Sequence, residues 1–149
     1  MQRQRLLRLL AASPVVLIAL AGTVNIARSM APVPADLDLA RERLSEKHLF
    51  KARLDADGPI PVGTMTSVTV RLETPAGKPI EKAVLSISGG MPQHGHGLPT
   101  KPRATAELSP GRYRIDGVRF SMSGWWTFSV STHIGATEDT ATFNLKLED

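Results

Sequence analysis

Two short segments carry side chains able to ligate a metal. In GGMPQHGHGLPT, residues 89–100, Met91, His94 and His96 stand close together, and FSMSGWW, residues 120–126, adds Met122. Thioethers are soft, neutral ligands that suit Cu(I), and imidazole accepts either copper state. Gly95, between the two histidines, frees the backbone to aim both rings at one ion. No Asp or Glu lies between Glu81 and Glu107. Oxygen-seeking calcium and magnesium therefore lack their ligands, and zinc lacks two of its three usual donor types. The chain has no Cys, which excludes a blue-copper centre built on thiolate. The donor set points to copper ahead of other metals. A plainer reading stands beside it: a polar Gly/Pro turn, with Met91 and Met122 plugging the open end of a core.

For these residues to act together, the fold must bring separate segments to one place. RATAEL, SPG and RYRIDGV, residues 103–118, read as a hairpin turning near Pro110, with Ala104, Ala106 and Leu108 facing Tyr113 and Ile115. Fourteen residues back from Pro110 is His96 and twelve forward is Met122, so the two loops are expected at one pole. Met91 arrives there from the preceding strand and Trp125 leaves it at the start of the next. Leu98, Pro99 and Trp125 are the contact residues if this pole docks on a partner and the histidines are incidental.

The elements follow from a period of two. HLFKARLDA places His48, Phe50, Ala52 and Leu54 on one face, and TSVTVRLET turns Val68, Val70 and Leu72 inward. EKAVLSIS, WTFSVST and TATFNLKL alternate likewise, through Ala83, Leu85 and Ile87, through Trp126, Phe128 and Val130, and through Ala141, Phe143, Leu145 and Leu147. Together with the hairpin this makes about seven short strands, the pattern of an all-β, immunoglobulin-like sandwich over residues 47–149. Gly111 two residues before Tyr113 is similar to the tyrosine corner of such folds. His48 is expected to be structural and His133, outward with Thr127 and Ser129, solvated.

Residues 1–28 read as a signal peptide or membrane-anchor helix: Arg3, Arg5 and Arg8 precede an apolar run from Leu9 to Gly22, and Ala19-Leu20-Ala21 offers a cleavage pattern. Cleaved signal and uncleaved anchor both fit, since apolar character continues to Ile26 while Asn25 and Arg28 interrupt it. Either way the arginines send the remainder across the membrane, so the folded part is expected in the periplasm or at the outer face of the cytoplasmic membrane. Residues 29–46 form a linker, or a short helix with Leu37, Ala40 and Leu44 on one stripe.

The formal charge of +4 resides in the leader, whose Arg3, Arg5, Arg8 and Arg28 leave 18 − 4 = 14 basic residues against 14 acidic ones in the rest. Such a neutral domain lacks the basic footprint of nucleic-acid binding. Without disulfides, its core must hold by burial alone. Catalysis is not expected, because the histidine loop has no acidic neighbour in sequence to orient a base. Nucleophile-elbow, phosphate-loop and dinucleotide fingerprints are missing. Ser121 and Ser123 have no orienting Asp in sequence, although folding could bring in a carboxylate such as Asp116.

MPQHGHG, GRYRIDGV and FSMSGWW, in this order, resemble the YtkA-like domain, related to the FixH-like proteins of bacterial membranes; the likeness spans roughly residues 45–147. It implies a small β-sandwich outside the cytoplasmic membrane, without known catalysis. FixH-like relatives are associated with copper-pump and oxidase-assembly systems, so the resemblance favours metal handling beside a membrane or periplasmic complex, respiratory or copper-handling. The expected function is copper binding or delivery through Met91, His94, His96 and Met122; the alternative is a metal-free assembly module docking through the same pole.

Overall fold

The computed structural model describes residues 33–149. The expected signal or anchor helix over residues 1–28 lies outside them, as does the start of the linker. Nine strands run in chain order: β1 (Glu42–Leu44), β2 (Lys51–Asp55), β3 (Met65–Glu73), β4 (Ser86–Met91), β5 (His96–Gly97), β6 (Arg103–Ser109), β7 (Arg112–Arg119), β8 (Gly124–Ile134) and β9 (Thr137–Leu147). No helix occurs among the described residues.

The strands form two antiparallel sheets, ordered β1-β2-β3-β7-β6 and β5-β4-β8-β9. Alternation explains why the two share one core. Phe50, Ala52, Leu54, Val68, Val70, Leu72, Tyr113, Ile115 and Val118 come from the first sheet and its approaches. Met91, Trp126, Phe128, Val130, Ala141, Phe143, Leu145 and Leu147 come from the second. Phe120, leaving β7, stands edge-on to Trp126 at 5.2 Å and tilted to Phe128 at 6.4 Å. Each large apolar side chain buried this way contributes about 1.5–3 kcal/mol, which is how a domain without disulfides holds.

Hydrogen bonds close one side of the stack. Asp139 is 2 % exposed, and its carboxylate accepts from the backbone N–H groups of Lys47 (2.9 Å), Leu49 (3.1 Å) and Thr140 (2.8 Å). Burial pushes its pKa up, but these bonds and the Ser45 hydroxyl outweigh that and hold it at about 2. The clamp joins the turn before β2 to the start of β9.

Several expectations need correction. The segment 33–46 is not helical: Leu37–Ala40 has no regular structure and Glu42–Leu44 pairs with β2. Its short apolar stripe gains more by laddering against an existing strand than an isolated turn of helix would retain in water. His48 does not share the face of Phe50. It sits exposed in the preceding turn at φ 61°. In the hairpin Ala104 does face Ile115, but register shifts between Ala104 and Ala106 and between Glu107 and Ser109 break the alternation. Ala106 and Leu108 therefore point outward, Leu108 being 52 % exposed. The Tyr113 hydroxyl donates to the Ile80 carbonyl (2.7 Å) and accepts from Ala83 N–H (2.9 Å). It thus pins the distant β3–β4 connection rather than the corner beside it.

Candidate functional site

The Met/His loop starts where β4 runs out of side chains. A Cβ on Gly89 would stand 2.3 Å from the Thr127 carbonyl oxygen, and one on Gly90 would stand 2.5 Å from that of His96. Only glycine permits three backbones to run this close. The chain then turns over Pro92–Gly95, with the N–H groups of His94 (3.1 Å) and Gly95 (3.0 Å) both donating to the Met91 carbonyl. Gly95 takes φ 67°. β5 returns beside β4 with His96 opposite Met91 and Gly97 opposite Gly90.

This register gives the site its geometry. Directly opposed residues hold their Cβ atoms about 4.5–5.5 Å apart, so Met91 and His96 are neighbours across the ladder. The His94 and His96 rings stack with centroids 5.8 Å apart and planes 28° from parallel. His96 also stands edge-on to Trp126, 5.7 Å between centroids. Its Nδ1 lies 3.2 Å from the Gly97 carbonyl oxygen. A carbonyl only accepts, so Nδ1 is the donor in that bond; in a neutral ring of that tautomer the lone pair is at Nε2.

The second segment reaches the same pole through Trp126, whose indole N–H donates to the Met122 carbonyl (2.9 Å). Met122 is 43 % exposed and Met91 only 2 %. The Met91 methyl nests against Gly124, where an added Cβ would come within 2.9 Å of it. His96 and the Met122 backbone thus meet at Trp126, with Met91 across the ladder from His96 and His94 stacked on it. Met91 lies on the core side; the histidines and Met122 lie on the solvent side. Among the described residues no three His, Asp or Glu side chains cluster.

The docking residues are placed differently. Trp125 is half-buried on the outer face of its sheet, its indole N–H donating to Asn144 Oδ1 (3.0 Å), away from the histidines. Leu98 packs partly against the core, and Pro99 is exposed beyond it. Asp116 does not approach the loop. It lies on the outer face of the five-stranded sheet, where Ser67, Thr105 and Arg114 donate to it and hold its pKa at about 2. A different carboxylate does come near: Asp149 accepts from Ser123 Oγ (3.2 Å), a pairing that sequence separation concealed.

Trp126 is the participant that sequence reading assigned to the core alone. It is core, yet its edge also meets His96. The consecutive Trp125 and Trp126, facing opposite sides, were the available signal.

No curated protein matches this chain. Among solved structures, the ZirS C-terminal domain is similar at a TM-score of 0.42 and 13 % identity, over 79 % of this chain and 82 % of that one. The model of the YtkA-like family matches residues 50–131, which run from the residue before β2 into β8 and include both segments of the Met/His pole. The match covers more than half of the 149 residues, and the chain belongs to the YtkA-like family.

Proposed function

We propose that this protein is a non-catalytic, extracytoplasmic domain of immunoglobulin-like sandwich form that binds Cu(I) at its Met/His pole and passes it on. The observation that carries the reading is the stack of His94, in the turn, on His96, in β5, with Met91 directly across the ladder from His96. Two imidazoles and thioether sulfur form a soft, uncharged donor set, which favours Cu(I) over cations that require carboxylates. His94, His96 and Met122 are solvent-exposed, so an acceptor protein can reach the ion. Met91 supports from beneath. The arginine-led N-terminus supports export, and a copper-handling or respiratory complex at the membrane is the fitting recipient.

The competing reading is metal-free docking through the same pole, and the burial of Met91 in the core favours it. Titration with Cu(I) against a chromogenic chelator separates the two. Stoichiometric uptake that drops at least about 100-fold with His94→Ala plus His96→Ala is expected, more than loss of an outer partner alone costs. Equal uptake by both proteins would retire copper and leave docking.

A further inference from the structure

The sandwich is closed on the Asp139 side and open on the other. There β4 and β6 are the facing edges, and between them runs a groove of about 470 Å³. Its apolar lining comes from Leu85, Ile87, Leu98 and Pro102, and its rim carries Lys101 and Arg103. No acidic residue lines it, and neither cation forms an ion pair among the described residues. The far wall is fixed: Pro102 is buried and the Thr100 hydroxyl donates to the Gly117 carbonyl at 2.7 Å.

The near wall is an unfinished strand. β4 pairs with β8 along Ser86–Gly90, but on its other side only Gly90 and Met91 pair with β5. The Gly89 carbonyl points to that outer side, where it accepts from Leu98 N–H (3.1 Å). Two residues earlier the strand repeats its orientation, so Ile87 directs its N–H and C=O outward where β5 has ended. Such an edge is a template for an added strand.

We propose that the β4 edge and this groove receive an extended segment of a partner protein, with apolar residues alternating with carboxylates. Its backbone bonds to Ile87, its apolar side chains meet Leu85, Ile87 and Leu98, and its carboxylates meet Lys101 and Arg103. Charge selects this occupant. The chain's own residues 1–28 carry four Arg and no acid, and β4 of a second copy, SISGGM, carries no charge at all. The proposal does not depend on copper.

The test uses the full chain, metal-free, with two synthetic hexapeptides of alternating valine and glutamate or valine and lysine. Binding is followed by fluorescence anisotropy and backbone amide shifts. The glutamate peptide is expected to bind, to shift the amides of Leu85, Ile87 and Leu98, and to weaken as salt rises. Ile87→Pro removes an outward N–H without touching the β8 ladder and should abolish binding. The exposed double reversal Lys101→Glu plus Arg103→Glu, which leaves the core intact, should weaken the glutamate peptide about tenfold and reverse the preference. Equal binding of both peptides, shifts elsewhere, no binding, or self-association through β4 would each overturn the proposal. Copper titration is read separately, so this outcome and that of the copper reading remain distinguishable.

Discussion

At His96 the backbone decides what the ring can offer. The Gly97 carbonyl accepts from Nδ1, and the register sets His96 directly across from Met91. His94 is held by the turn before it, where its N–H donates to Met91, and by its stack on His96, while its ring makes no hydrogen bond to the backbone of the described residues. His96→Ala alone should therefore cost more Cu(I) affinity than His94→Ala, by at least about tenfold; equal losses in the chelator competition would show that neither ring is pre-set. Asp139 is a second residue whose surroundings dictate its behaviour. Its folded pKa of about 2 lies well below the ordinary aspartate range, so its contribution is fully present above about pH 4 and is lost as pH falls toward 2. Asp139→Asn keeps the shape and can leave its oxygen toward Lys47 and Thr140, but it turns a donor toward the Leu49 N–H, and should cost about 2 kcal/mol at neutral pH. Thermal melts from pH 6 to 2 should then fall more steeply for the natural protein than for the variant. Parallel curves would remove Asp139 as the acid-sensitive clamp.

Pairing, more than propensity, decided the elements. Tyr113 shows how one hydroxyl connects them: it bonds Ile80 and Ala83 and so ties β7 to the connection between β3 and β4. Tyr113→Phe retains the buried ring and should lower stability by about 1–3 kcal/mol, seen as a shift in the urea midpoint with unchanged slope. The strands buried on one face were readable from sequence, because Val68, Val70 and Leu72 or Phe128 and Val130 leave a period of two that nothing else explains. β5 was not readable, since a two-residue strand has no period; it exists because Gly90 and Gly97 allow β4 to be met closely. The bulges in β6 were equally hidden. RATAEL alternates perfectly as text, and only the pairing with β7 shows Ala106 and Leu108 displaced to the outside. β1 was missed because a three-residue edge strand is specified by its neighbour and not by its own sequence.

At the scale of the molecule, the approach of the His96 and Met122 segments was legible, but the route was different. Counting from the turn at Pro110 placed His96 and Met122 at one pole as if the β6–β7 hairpin continued. In the structure His96 belongs to the other sheet, and Trp126 joins the two segments. That difference has a thermodynamic consequence. The proposed ligands are fixed to β4, β5, the short turn between them and the turn entering β8, and Met91 and Trp126 belong to the shared core. An ion held there is therefore linked to global unfolding and not to the opening of one loop. Binding to the native state alone stabilises it by about 2.7 kcal/mol when free ligand is 100 times its dissociation constant. Cu(I) should accordingly raise the midpoint of the whole cooperative transition, equally by tryptophan fluorescence and by far-UV circular dichroism, and His94→Ala plus His96→Ala should erase the rise. A shift seen by fluorescence alone would mean that the pole opens separately from the sandwich, and the ion would then be held by the loop and not by the fold.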